Sequence, residues 1–410
     1  MPLLINPDRL FSDFNTLSQI GATPEGGLNR PALSPAHLEA RRWFLARAEE
    51  AGLETHIDNA GNHSAILQRS ASNPRTLLLG SHLDSVPNGG RYDGALGVLA
   101  ALEVLRTVNE SGMTLPVNLE AIDFTDEEGT LVGLLGSQAI AGQLTPGHLH
   151  NPRGGRERLE AGMTRAGLTA EGLLSAQRDP QTMAGYLELH IEQGPRLVRS
   201  AIAIGVVTGI VGIRSFRLTY HGRANHAGTT PMEARADASL GASALTLTAR
   251  EMVVRDFPNC VINIGQMTFK PGAFNIIPGL AEFALEFRSP EAGQLNDLEK
   301  SLLGLADLIG RQYGLKLTVE RMGECLPAPM SLKARAAITT AADSLALTHT
   351  ALHSGAGHDA QSLAALTEAG MIFIPSRNGI SHAPEEYSVW EDCVNGANVL
   401  LRAALTMGES

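Results

Sequence analysis

Cysteine is scarce in this chain. Cys260, Cys325 and Cys393 are the only three among 410 residues. Their number and wide spacing fit neither a disulfide framework nor a C-x-x-C metal site, and point to the reducing cytoplasm. Aromatic residues make up only 4% of the chain, which argues against a platform for stacking nucleic-acid bases. Positive charge is also short: 32 Lys plus Arg against 43 Asp plus Glu leave a net charge of −11, so no basic face for a phosphate backbone is expected. No apolar run reaches the roughly 18 residues of a membrane span. The first fifteen residues include Asp8 and Asp13 and lack the basic-then-apolar order of a signal peptide. Neither nucleic acid nor a membrane is therefore an expected partner. What is present is a 43% apolar content with 18% charged residues, enough to bury a sizeable core. The length suggests about two to three domains.

The spacing predicts a helix over Pro35–Ala51, with Leu38, Trp43, Leu45 and Ala46 on its apolar side and Gly52 as its stop. Arg75–Asp84 reads as a buried strand, Gly94–Val108 as a mostly apolar helix, and Pro116–Phe124 as an alternating strand. Tyr186–His190 reads as a further short strand. Strand, helix and strand within about 50 residues indicate an α/β sheet, in which ligands gather at the carboxyl ends of the strands. From Ile213 the order becomes strand (Ile213–Tyr220), helix (Ala236–Met252), strand (Val261–Met267), strand (Ala281–Arg288), helix (Leu295–Tyr313) and strand (Lys316–Glu320). This βαββαβ run can form a compact α+β unit by itself. A helix (Leu332–Ala346) and an apolar strand (Met371–Pro375) follow. The expected organisation is one α/β domain, residues 1–208 and 330–410, interrupted by an inserted domain, residues 209–329.

Polar clusters recur at the expected strand ends. His82 and Asp84 lie two apart, which puts both side chains on one face. Asp93 follows a glycine loop where a helix begins, Asp126-Glu127-Glu128 follow the next strand, and His190 and His382 end later segments. Imidazole and carboxylate suit divalent transition metals such as zinc, manganese, cobalt or nickel. Asp93 is the natural bridge between two ions, with His82, Glu128, His190 and His382 as terminal ligands. Glu127 is placed to act as general base, and Asp84 to orient His82. Taken singly, each piece has a plainer reading: a satisfied strand-end histidine, a solvated acidic turn, an ordinary glycine turn. Recurrence at successive strand ends is what joins them. In the inserted domain, His226 within His221–Pro231 can donate to an oxyanion or merely belong to a helix-capping loop. Arg288 can clamp a carboxylate or form a surface ion pair. Ser354-Gly355-Ala356-Gly357-His358-Asp359 is a further glycine-rich loop with a histidine.

These segments together resemble the hydantoinase/carbamoylase family, the amidase branch of the dinuclear metallo-aminopeptidase-like enzymes. That family includes N-carbamoyl-L-amino-acid hydrolases, β-ureidopropionases, and allantoate and ureidoglycolate amidohydrolases. The matching segments are Gly80–Pro87, Gly90–Gly94, Glu127–Gly129, Glu188–Gly194, Ala224–Met232, Ser354–Ala360 and Pro375–His382, in family order along the chain. His190 within His-Ile-Glu-Gln-Gly favours the amidase branch, since peptidase relatives usually carry an acid there. The resemblance implies a zinc-aminopeptidase-like catalytic α/β domain of mixed sheet and an inserted ferredoxin-like lid that also makes a homodimer. It implies two divalent ions on His82, Asp93, Glu128, His190 and His382, Glu127 as base, and Asp84 behind His82. His226 would stabilise the oxyanion, often from the partner subunit. Gln193, Asn275, Arg288 and His358 would bind substrate, with Arg288 and Asn275 fixing its carboxylate. The expected reaction is hydrolysis of an N-carbamoyl-L-amino acid, with allantoate or ureidoglycolate as the nearest alternative and dipeptide or acyl-amino-acid cleavage as a further one. In one departure, Thr130-Leu131-Val132 follow Gly129 where relatives commonly have Ser-Arg-Phe.

Overall fold

The computed structural model describes residues 3–69 and 75–409. They divide into two compact units, Met1–Thr208 with Pro329–Ser410, and Gly209–Ala328. Strands are numbered in chain order: β1 (Glu54–Ile57), β2 (His63–Leu67), β3 (Thr76–His82), β4 (Asn118–Phe124), β5 (Met183–Ile191), β6 (Ile204–Ile210), β7 (Gly212–His221), β8 (Val261–Lys270), β9 (Leu280–Ser289), β10 (Lys316–Cys325), β11 (Ala328–Pro329), β12 (His349–Ser354) and β13 (Ala369–Ile374). No helix among the described residues is long and apolar enough to cross a membrane.

The first unit is built on a mixed sheet of order β1–β2–β4–β3–β5–β13–β6–β11, with β12 also on β6. Its centre is parallel: β4 with β3, β3 with β5, and β5 with β13. These strands are buried along most of their length, as expected of parallel strands covered on both faces. Their shared direction brings four carboxyl ends to one edge, which is the edge that matters for function. The helices Ala95–Ser111, Leu332–Ser344 and Trp390–Gly408 pack with the sheet and one another around the main apolar core.

The helix Trp390–Gly408 lies beyond what the sequence analysis anticipates, although much of it is buried. Gly396 and two asparagines weaken its intrinsic propensity. Packing explains the glycine: a Cβ at Gly396 would stand 2.6 Å from Ile374 Cγ2 and 2.7 Å from Leu189 Cδ1, so close contact with β5 and β13 excludes a side chain.

The helix Pro35–Glu50 forms as expected, capped by Ser34 accepting from the His37 N–H. Its buried face is a different one. His37, Ala40, Arg41, Phe44 and Ala48 point inward, while Leu38, Trp43 and Leu45 are half-buried and Ala46 is exposed. The physical reason is Arg41. Its Nε donates to Asp123 Oδ2 at 2.7 Å, Nη1 to the Gly61 carbonyl at 3.0 Å, and Nη2 to Phe124 O and Thr125 Oγ1, both at 3.0 Å. Asp123 Oδ1 in turn accepts the Leu83 N–H at 2.7 Å. This buried pair ties the ends of β3 and β4 together from behind. Arg41→Ala leaves Asp123 buried without its counter-charge and is expected to lower stability by about 3–5 kcal/mol. Denaturant unfolding followed by circular dichroism measures it; an unshifted midpoint contradicts the strut.

The second unit runs β7, helix Ala238–Asp256, β8, β9, helix Ala292–Gln312, β10. Its sheet has the order β10–β7–β9–β8 with every neighbouring pair antiparallel, the ferredoxin-like arrangement. Alternate residues of β7 and β9, among them Phe216, Leu218, Tyr220, Phe283, Leu285 and Phe287, meet the two helices in a core of their own.

Candidate metal centre

Four parallel strand ends deliver the side chains. His82 closes β3, Glu127 and Glu128 follow β4, His190 lies near the end of β5, and His382 follows β13. Asp93 precedes the helix Ala95–Ser111. Ligand atoms of His82, Asp93 and His190 all lie within 4.8 Å of one another, and so do those of Asp93, Glu128 and His382. Asp93 is common to both groups, one oxygen facing each. Oδ1 is 3.5 Å from His82 Nε2 and 3.0 Å from His190 Nε2. Oδ2 is 3.3 Å from His382 Nε2, which is also 3.4 Å from Glu128 Oε2. Glu127 Oε2 lies 3.6 Å from His82 Nε2.

The tautomers of the two buried histidines follow from their backbone contacts. His82 Nδ1 is 3.0 Å from the Asp84 carbonyl oxygen, and His190 Nδ1 is 2.9 Å from that of Ile191. A carbonyl only accepts, so each Nδ1 carries the proton and each Nε2 presents a bare lone pair. Both Nε2 atoms are buried without a hydrogen-bond partner. A lone pair aimed at a carboxylate oxygen is repulsive unless a cation lies between them, so the donor set fits a divalent metal.

Charge around the centre has the same character. Burial alone would raise the Asp93 carboxyl, but the His190, His382 and His82 imidazoles, once each Nε2 has taken up a proton, outweigh it and hold it well below the usual carboxylate range, so the carboxylate answers to positive charge at those atoms. Burial, joined by the like charges of Glu128, Asp359 and Asp93, pushes the Glu127 carboxyl well above that range against the opposing pull of His82. Burial and Asp93 together push Glu128 up to about 7. The cluster is rich in carboxylates and short of cations.

Residues 78–406 match the peptidase family M20/M25/M40. The chain belongs to this family. Within it, the chain is 38% identical over 412 residues to the N-carbamoyl-L-amino acid amidohydrolase of Geobacillus stearothermophilus, covering 99% of this chain and 100% of that protein. It is 34% identical to the allantoate amidohydrolase of Escherichia coli strain K12, over 94% of each. The structure of a hydantoinase/carbamoylase family amidase from Burkholderia multivorans is 32% identical, with a TM-score of 0.91, covering 100% of this chain and 99% of that one. This M20 enzyme is thus a metal-dependent amidohydrolase of the hydantoinase/carbamoylase group.

Several of the predicted residues make contacts that the sequence does not announce. The Asp84 carboxylate stays 3.9 Å from His82 Nδ1. It accepts instead the N–H groups of Glu127 (3.2 Å) and Glu128 (3.3 Å), while the Asp84 carbonyl orients His82. Asp126, first of the acidic run, turns away to accept the N–H groups of Leu131, Val132 and Gly133. The departing Leu131 packs with Ala32, Leu33 and Leu159. His358 neighbours His190. It is buried, its ring 4.5 Å from that of His190 and its Nε2 2.9 Å from Ser354 Oγ. Gln193 Nε2 donates to Asp93 Oδ2 at 2.9 Å.

Glu188 receives no role from the sequence, yet it is fully buried two residues before His190. It accepts from Ser81 Oγ at 2.8 Å and from the Ala360 N–H at 3.0 Å. Glu188, His190 and His358 form a further close group of possible ligand atoms, although His190 Nδ1 faces the Ile191 carbonyl and its Nε2 faces Asp93. Strand periodicity is the signal that finds Glu188, since i and i+2 share a face.

In the second unit, His226 Nδ1 accepts the N–H groups of Gly228 (3.1 Å) and Thr229 (3.2 Å). Its proton therefore sits on Nε2, and the exposed ring is a donor. Asn275 lies on the adjoining loop, its carbonyl accepting the Ala227 N–H at 3.0 Å. Arg288 engages Glu286 Oε1 through Nε (3.0 Å) and Nη2 (2.8 Å). The loops of His226 and Asn275 adjoin the Leu280 end of β9, whereas Arg288 is at its other end. Eight residues of extended strand separate those ends by about 27 Å. Arg288 and Asn275 of one chain therefore cannot hold one small carboxylate.

Proposed function

We propose that the protein hydrolyses the carbamoyl carbon–nitrogen bond of N-carbamoyl-L-amino acids to amino acid, ammonia and carbon dioxide. The observation that carries this reading is the pair of bare Nε2 atoms on His82 and His190, facing the carboxylate shared with His382 and Glu128. Two divalent cations (zinc, manganese, cobalt or nickel) fit these groups: one on His82, Asp93 and His190, the other on Asp93, Glu128 and His382. When bound, they supply Lewis acidity and a water of lowered pKa.

The chain's own groups do the rest. Glu127, whose backbone is pinned by Asp84, takes the proton of the attacking water and returns it to the leaving nitrogen. His226 donates its Nε2 proton to the carbonyl oxygen as charge develops there. Arg288 exchanges Glu286 for the substrate carboxylate, Asn275 and Gln193 contribute their amides to substrate, and His358 steadies His190.

The separation of Arg288 from His226 and Asn275 supports a homodimer in which the second unit, as lid and dimerisation domain, completes each site with residues of two chains. Leu240, Leu247 and Val254, seven apart on the helix Ala238–Asp256, leave an exposed apolar stripe on that unit, and β8 is an edge strand. Such features suit an isologous contact. The scarce, widely spaced cysteines support a location in the reducing cytoplasm.

A turnover screen tests the substrate. Metal-reconstituted protein is offered N-carbamoyl-L-amino acids, allantoate, ureidoglycolate and a dipeptide panel, with ammonia and amino acid measured separately. The expected result is the highest kcat/KM on an N-carbamoyl-L-amino acid, with ammonia released in step. A preference for allantoate moves the enzyme toward its 34%-identical relative; dipeptide cleavage without ammonia overturns the proposal.

A further inference from the structure

Glu386 lies four residues beyond His382, on the loop between β13 and the helix Trp390–Gly408, and is only 3% exposed. None of the roles above uses it. Its Oε1 accepts the N–H groups of Tyr92 (3.0 Å) and of Asp93 itself (3.1 Å). Its Oε2 accepts the Ser381 hydroxyl at 2.7 Å, whose oxygen is also 3.3 Å from Asp93 Oδ2. One buried carboxylate thus joins the loop carrying the shared ligand to the loop carrying His382. The chain makes room for it: a Cβ at Gly90 would fall 1.9 Å from Glu386 Oε1, so the loop can wrap the carboxylate only with glycine there.

Stability alone does not account for this arrangement. Its hydrogen-bond donors are two amides and a hydroxyl, and the charged groups acting on it most directly are Asp93, of the same sign, and His382. Burying an anion beside another anion is unfavourable without compensation, whereas a geometric purpose is plain. Movement of either loop would change the distance between Asp93 Oδ2 and His382 Nε2, the pair that defines the second ion group.

We infer that Glu386 is a positioning residue that sets the second metal group by fixing Asp93 relative to His382. The inference rests on the two-ion reading above. The test titrates the full-length apo-protein with cobalt(II), following the d–d absorption and the heat of binding. Wild type is expected to take up two ions per chain. In Glu386→Ala one ion binds as in wild type, and the other binds about 10- to 100-fold more weakly. Glu386→Gln restores it, because its Oε1 can still accept both N–H groups. Ser381→Ala, which removes only the hydroxyl link, shifts the same ion in the same direction by less, and it serves if Glu386→Ala does not fold. A wild-type chain that takes up fewer than two ions overturns the two-ion reading and this inference with it. Two ions in wild type, with both affinities unchanged or equally weakened in the variants, overturn the inference alone.

Discussion

Glu127→Gln is expected to cut turnover by about 100- to 10,000-fold, the range that a positioned general base contributes, while leaving KM and metal content near wild type. The glutamine keeps the shape and the backbone hydrogen bonds to Asp84, because these run through the N–H groups of residues 127 and 128. It loses the ability to accept a proton. Glu127 belongs to neither ion group, so the cage should fill normally. The measurement is steady-state ammonia release at verified metal occupancy. Wild-type turnover in a fully loaded variant removes Glu127 from the mechanism.

The second large effect concerns two inactive proteins that become active when mixed. On the proposed mechanism, His226→Ala would lack the oxyanion donor and Arg288→Ala the carboxylate clamp, so each alone is expected to be nearly inert. If every site draws these residues from different chains, a mixed dimer holds one intact site and one doubly defective site. Random re-association makes about half of the dimers mixed, so about a quarter of wild-type activity should return. The activity is read after the two variants are dissociated and reassembled together. No recovery, despite subunit exchange shown by differently tagged chains, means that one chain supplies both residues and contradicts the shared site.

The parallel strand ends are legible in the sequence because each is a short apolar run that stops at His, Asp or Glu, and the chain repeats this at His82, Glu127 and His190. The ferredoxin-like order of the second unit is legible for the same reason, since its strands alternate and its helices are long. What escapes periodicity is polarity turned inward. Arg41 and His37 occupy the buried face of their helix, so the apolar stripe at Leu38 and Trp43 points to the wrong side. Asp84 lies on the expected face beside His82, yet its carbonyl rather than its carboxylate does the orienting, and backbone acceptors leave no mark in residue type. Glu386 is hidden similarly, as one acid among several in a loop. The gap between Asn275 and Arg288 is implied by the sequence, because they flank opposite ends of one strand, but only the observed register turns that into a distance.

The three imidazoles of the centre are unequally sheltered. The side chains of His82 and His190 are each 1% exposed, and that of His382 is 51% exposed. Within its unit the centre is therefore walled by the sheet on one side and accessible on one flank. On the two-ion reading, ions, water and reactant would share that approach, so a cation held by Glu128 and His382 would be the labile one of the pair, and the one an incoming ureido group would meet first.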